Sequence, residues 1–563
     1  MKKFTKIKSI ITIALAILMI SAPLTTLAAS NPSLPTATGS LTIHKYLMPD
    51  ISLAGERNDG TTNVTIPSTA TPLDGITFKL YKIEIPTTGS VPSNGDYPEP
   101  GYFFESYLNP IAMVSNGVTY PLAPATVPSV TTAGGGIAKA SDLPQGFYLV
   151  IEQPDARVVD PAAPFVVAVP MTNATGSGWI QDVHVYPKNE DVSAHKKADK
   201  TVVNISDTVT WTIDVSVPTD IAAFTKFNIV DPLDEALDFV PSSLKLEGLL
   251  TEDAASGTLI DSSLYDVNLD SAQNLPTPSG SNTTQRKVLT VSFKKTSTFT
   301  APSGTAYATV PAILANYKFV RMTFQTTVNS KILDRVEFTV YNGAKAEFTN
   351  RFSQDKERIT EEPLVHTAKI LINKIDATTG LGVNINGAKF KIASTPANAT
   401  DAHYIRVQKD GSGNILRIVD FDQAGYNDPG MVDWEETVTG GTASNPGNAI
   451  FAGIADYTET NVKNYPPIAY SSDKTYLSYY LVETQAPAGY NLLAGPVTAT
   501  FTAENSTATT SYSISVLVKN TNKFELPKTG GIGTILFTAG GVLLIGAAAF
   551  LVILGSRKRK ENA

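Results

Sequence analysis

Between residues 40 and 520, apolar side chains recur at every second position in short runs, and clusters of Gly, Pro, Asn, Asp and Ser separate the runs. SLTIHKYL, ITFKLYKI, GFYLVIE, FVVAVPM, TVTWTIDVSV, FVRMTFQTTV, VEFTVYNGAKAEF and KILINKID are examples. A period of two, rich in β-branched residues and bounded by turn formers, predicts strands. No stretch outside the termini carries a helical period of useful length. The two ends break the pattern. Met1 to Ala29 opens with Lys2, Lys3, Lys6 and Lys8, continues through IITIALAILMI and leaves on TLAAS, which reads as a secretory signal peptide cut after Ala28 or Ala29. Residues 535 to 555, ILFTAGGVLLIGAAAFLVILG, are long enough to cross a bilayer, and SRKRK with Arg557, Lys558, Arg559 and Lys560 follows on the inner side.

The roughly 500 residues between these ends exceed one core, and at about 150 residues per domain they suggest three. The expected fold is all-β, with three tandem β-sandwich domains of immunoglobulin type. Two of them repeat one design. Near the N-terminus come LTIHKYL with Lys45, DGITFKLYKI, FYLVIEQPDA with Glu152, and DVHVYPKN with Asn189. Near the C-terminus come ILINKID with Lys374, NGAKFKI, YYLVETQAPAGY with Glu483, and SVLVKNTN with Asn520. Lys45 to Glu152 spans 107 residues and Lys374 to Glu483 spans 109, while both glutamate-to-asparagine gaps are 37. A lysine among apolar strand residues shifts towards its neutral amine. Beside a carboxamide that amine is a nucleophile, and a buried protonated glutamate can polarise the carbonyl and move protons as ammonia leaves. The product is an internal Lys–Asn isopeptide bond tying the first strand to the last.

Composition removes other classes. The 563 residues are 42% hydrophobic and 17% charged, with net charge −8 and no cysteine. The chain is too apolar for disorder and too acidic for a general nucleic-acid binder. Internal cross-links would replace the disulfides common in exported proteins. There is no HExxH pair, Ser-His-Asp signature or phosphate loop, so no enzyme acting on an outside substrate is expected, and no cofactor or metal. DGSGN, Asp410 to Asn414, reads as a hairpin turn, because Phe421 stands where a calcium loop needs a glutamate.

Before the apolar tail stands LPKTGG: Leu526, Pro527, Lys528, Thr529 and Gly530, then Gly531. With the tail and basic end it resembles the cell-wall sorting signal of Gram-positive surface proteins. That resemblance implies that a sortase cleaves after Thr529 and passes it, as a thioester, to an amine. YYLVETQAPAGY resembles the E-box of pilin domains, and KID followed by GAKF resembles a collagen-adhesin B-type domain, which implies a Lys374–Asn520 bond with Glu483 as catalyst. The same pattern carried to the N-terminal domain gives Lys45, Asn189 and Glu152, although IEQPDARV departs from the E-box after its glutamate. Residues 190 to 365 resemble the second domain of shaft pilins, whose acid is an aspartate. This implies Asp231 in IVDPLDEAL, Asn342 in VYNGAKAEF and Lys196. Strand parity puts Val192, Ala194, Lys196 and Ala198 on one face, with Lys197 the fallback and Asn350 the alternative to Asn342.

WIQDVHVYPK resembles the pilin motif of sortase-polymerised shaft subunits at Trp179, Val183, Val185, Tyr186, Pro187 and Lys188. The family's motif lysine is the accepting amine, so Lys188 of one subunit would join Thr529 of the next in an open, head-to-tail fibre. Adjacent strand residues face opposite ways, so Asn189 turned inward leaves Lys188 in solvent. The expected organisation is a signal peptide at 1–29, domains at 30–189, 190–365 and 366–522, and a sorting segment at 523–563. The resemblance implies a major pilin with sortase, further copies of itself, accessory pilins, peptidoglycan and a host surface ligand as partners. The alternative is a sortase-anchored adhesin or accessory pilin that binds a host ligand.

Overall fold

A computed structural model of the chain describes residues 37–560, except 49–57, 88–90, 92–109, 116–117, 124–128, 156, 159–160, 163, 191, 253, 301–305, 351–353, 383–384, 464–470 and 524–530. The expected signal peptide and the residues Leu526 to Gly530, Thr529 included, lie outside the described residues.

Strand ladders among the described residues stay within three runs: 38–190, 194–366 and 368–520. In each run two main sheets pack face to face. The first pairs a three-stranded sheet (Asp182–Val185, Thr38–His44, Ile137–Pro144) with a four-stranded one (Phe165–Val169, Gly146–Glu152, Thr77–Lys82, Val130–Thr131). Leu41, Ile43 and Val183 from one meet Phe78, Leu80, Tyr148 and Val150 from the other. The second run packs five strands against six, with Trp211, Met322 and Phe324 facing Phe227, Leu289 and Phe348. The third packs three against four, with Ile370, Ile372 and Phe451 facing Phe390, Leu481 and Ala499. Each such side chain contributes about 1.5–3 kcal/mol by leaving water.

The first and third runs close alike, with their first strand parallel to their last. Ala368–Asp376 pairs in parallel with Ser513–Asn520, without interruption. In the first run the same pairing comes in two pieces: Thr38–His44 beside Asp182–Val185, then Tyr46–Met48 beside Lys188–Glu190. The break falls at Lys45 on one strand and at Tyr186-Pro187 on the other, where proline has no N–H to give. Lys45 N–H turns to Gly136 O at 2.7 Å, and Lys45 O accepts from Leu73 N–H at 3.0 Å. Gly136 has φ +78°, and a Cβ there would stand 2.4 Å from Lys45 O, so only glycine fits this crossing.

The cores of the second and third runs merge into one apolar cluster, bridged by Ile205 N–H donating to Gly453 O at 2.9 Å. The first run keeps its own clusters. It touches the second where Lys356 Nζ and Arg358 Nη2 reach the carbonyls of Asp155 and Arg157 at 2.6 and 2.8 Å. DGSGN forms a tight turn, with Asp410 Oδ1 accepting from the N–H groups of Ser412 and Asn414. Among the described residues one short α-helix, Pro396–Thr400, and several short 3-10 helices interrupt the strands. The C-terminal helix Gly531–Lys560 contains the expected span and extends it at both ends, and its stretch Thr534–Arg557 is long and apolar enough to cross a membrane.

Candidate cross-linking sites

Strict alternation explains why a lysine is buried in the third run. Along Ala368–Asp376 every second residue points inward, and the sequence puts Lys374 on the face of Ile370 and Ile372. Asp376, two residues on and on that face, stands beside Asn520 in the ladder. Lys374 Nζ donates to Asn520 Oδ1 and lies 3.5 Å from Glu483 Oε1. Asn520 Nδ2 donates to both oxygens of Glu483 at 2.9 Å and to Asn491 O at 3.0 Å. Leu493 N–H holds Glu483 Oε2 at 2.9 Å. Burial pulls the Lys374 ammonium below the usual lysine range, against the opposing charge of Glu483.

The first run builds the same site. Leu47, two residues after Lys45, stands beside Asn189. Lys45 Nζ donates to Glu152 Oε2 at 2.7 Å and to Asn189 Oδ1, and Asn189 Nδ2 donates to Glu152 Oε1 at 2.6 Å. Ala162 N–H holds Glu152 Oε2 at 3.1 Å. Phe78 and Phe390 wall the two lysines at 6.0 and 5.8 Å. Two parts of this repeat escape the sequence reading although its signal carries them. Both aromatics sit in a matching Phe-Lys-aliphatic step, and both backbone clamps lie 10 residues after their glutamate.

The middle site differs. Along Ala194–Ala198, Lys196 points inward with Ala194 and Ala198, while Lys197 is partly exposed near Asp214. Lys196 Nζ pairs with Asp231 Oδ2 beside Trp211 (5.0 Å) and Phe324 (5.8 Å). Burial pushes the Lys196 ammonium down to about 8 and raises the Asp231 carboxyl. Asn342 is fully buried in the link between strands Thr339–Tyr341 and Lys345–Thr349, yet among the described residues neither side-chain amide atom has a hydrogen-bond partner, nor has Asp231 Oδ1. Asn350 is engaged locally, accepting from Gln354 N–H at 3.1 Å. The structure therefore joins lysine to acid here and leaves the asparagine's side chain buried without a hydrogen-bond partner among the described residues. Arg286 accompanies them, fully buried, and alternation hides it because the inward positions of its strand fall at Leu289, Val291 and Phe293.

On the motif strand, Val183 is buried and Trp179 and Val185 are half-buried. Tyr186 stacks on His44 at 4.5 Å, and His44 shares a ring-nitrogen contact of 2.9 Å with His184. Lys188 departs from the expectation of free solvent exposure. It is half-buried, its Nζ folded back to within 3.4 Å of Tyr186 O, and this burial holds its ammonium below the usual range. A long aliphatic stem can lie on the surface while its head stays reachable. Asn189, its neighbour, is fully inside.

Residues 36–190 match the family model of the Gram-positive pilin subunit D1, N-terminal domain, and residues 518–562 match the LPXTG cell wall anchor motif. The chain is 26% identical to the fimbrial subunit type 1 of Actinomyces viscosus, across 94% of this chain and 92% of that one. It is 25% identical to the fimbrial subunit type 2 of Actinomyces naeslundii, across 93% and 91%. Among solved structures it resembles the full-length major pilin SpaD from Corynebacterium diphtheriae, at 21% identity and TM-score 0.47, across 87% of this chain and 98% of that one. A Gram-positive pilin N-terminal domain near one end, an LPXTG cell wall anchor at the other, and likeness to fimbrial subunits along nearly the whole chain support a shaft subunit of a surface pilus anchored at the cell wall.

Proposed function

We propose that a sortase polymerises this pilin through an amide between Lys188 of one subunit and the Thr529 carbonyl of the next, and that three internal bonds harden each subunit. In the polymerising step the enzyme's cysteine displaces Gly530, the Lys188 amine displaces the cysteine, and the threonyl carbonyl ends on Nζ. The internal bonds are Lys45–Asn189 with Glu152, Lys196–Asn342 with Asp231, and Lys374–Asn520 with Glu483. In each, Nζ attacks Cγ, the Cγ–Nδ2 bond breaks, and the acid carries the lysine's proton to the departing ammonia. Domains at 30–189, 190–365 and 366–522 would each hold one bond. Accessory pilins and the wall peptidoglycan are the further partners this reading calls for.

One observation supports the proposal: the candidate residues for the two reactions, Lys188 and Asn189, are consecutive on a single short strand. Asn189 is held inside by Glu152 and Lys45, while Lys188, on the other side, folds along the surface. Lys188→Ala should abolish the high-molecular-weight ladder on denaturing gels, and an unchanged ladder would favour a monomeric adhesin. Each internal bond should lower the intact mass by about 17 Da, one ammonia.

A further inference from the structure

The flanking glutamates each reach both lysine and asparagine, but Asp231 reaches only Lys196. Something else must bring the asparagine's strand to the acid's strand. Arg286 has the geometry for it. Among the described residues it donates only from Nη1, to Pro232 O at 2.9 Å and Tyr341 O at 3.3 Å. Pro232 follows Asp231 and Tyr341 precedes Asn342, so one nitrogen braces the two backbones that carry the reacting groups. Its cross-strand neighbour Asp234 spends its hydrogen bonds on Arg335 at 2.8 Å and Thr284 at 2.6 Å instead. A fully buried guanidinium whose Nε and Nη2 have no partner is costly for stability alone.

We infer that Arg286 is the positioning residue of the middle cross-link: by bracing both backbones it fixes Asp231 and Asn342 relative to each other. The inference rests on the proposed Lys196–Asn342 bond. Three charged groups act on Lys196: Asp231 and Glu362 favour its ammonium, and Arg286 opposes it. Arg286 itself feels Asp234, Asp231 and Glu362 against Arg335. The reaction needs no other reagent. Nζ–Cγ forms, Cγ–Nδ2 breaks, ammonia departs, and Arg286 keeps its charge throughout.

The test follows the middle bond in full-length chains made by cell-free synthesis at set pH, quenched at intervals and weighed intact. Lys196→Ala should weigh one ammonia more than expected from the substitution alone, and if it does not, the cross-link itself is wrong and Arg286 falls with it. Arg286→Gln loses both the reach and the charge, so at neutral pH it should form the bond about tenfold more slowly than Arg286→Lys, as loss of one nearby charge implies, and should recover to the rate of that variant as pH rises. A merely structural loss would not recover with pH. Arg286→Lys keeps the charge but not the reach to both carbonyls, so it should be slow at every pH. Should the Gln variant not fold, this one decides. Wild-type rates in either variant, or a Gln variant that is slow but indifferent to pH, would overturn the role of Arg286 while leaving the bond standing.

Discussion

At Lys45 and at Lys374 one arrangement of lysine, glutamate and asparagine is set into two different strand pairs. In the third run the lysine and asparagine strands are continuous over Ala368–Asp376 and Ser513–Asn520, and the site lies within an unbroken parallel ladder. In the first run both strands are broken beside the site, and the piece that carries Asn189 is the three-residue strand Lys188–Glu190, which also presents Lys188. On the proposed polymer, tension enters at Lys188 and leaves at Thr529. Every residue of the third run lies on that path, whereas residues 45–187 hang beside it. The third bond would bear load; the first would hold the acceptor lysine's strand in place.

Pulling single molecules between positions 188 and 529 breaks or sharpens this contrast most strongly. Lys374→Ala opens a loop whose ends are 146 residues apart, so extension should grow by up to roughly 500 Å at about 3.5 Å per residue. Lys45→Ala should add nothing. The ladder on gels should report the reverse: Lys374→Ala leaves it intact, and Lys45→Ala weakens it about tenfold, within the range that misplacing a reacting group produces. Equal extension in both variants would remove the division of labour.

Much of this was legible in the sequence because both periodicities are strict where the chemistry sits. Alternation along Ala194–Ala198 and Ala368–Asp376 marks Lys196 and Lys374 as inward, and the 37-residue spacing pairs each glutamate with its asparagine. What was hidden depends on tertiary packing. The break at Lys45 follows from the crossing of Gly136 beneath it, and no local pattern announces that. Lys188 was expected in solvent because parity gives a direction but not a rotamer, and its stem folds back on Tyr186. Asn342 lies in a link between strands of different sheets, where period two does not apply, and Arg286 occupies an inward position out of phase with Leu289.

The carboxylates offer a second, smaller contrast. Glu152→Ala and Glu483→Ala should each leave one bond unformed, raising the mass by about 17 Da beyond the substitution. Each should also strand a buried lysine, at roughly 3–5 kcal/mol of that domain's stability by chemical denaturation. Because Ala162 and Leu493 clamp the two carboxylates alike, the losses should match within about 1 kcal/mol; a loss in only one would mean that the repeat shares its geometry but not its chemistry.

The smallest effect concerns pH, and the middle site reads it most clearly. Asn342→Ala removes the partner and leaves Lys196 a free amine in the core. Its ammonium is pushed down to about 8 by burial, while the unfolded chain keeps the ordinary value of 10.5. Between those two values the unfolded state binds more protons than the folded one, so stability must rise with pH across that window and level off above it. The rise should reach about 3 kcal/mol, the distance between the two values at about 1.4 kcal/mol per unit. On the proposed cross-link the wild-type nitrogen would be an amide that cannot titrate, so the same measurement should be flat over that range. A rise of equal size in the wild type would mean that Lys196 is still an amine there.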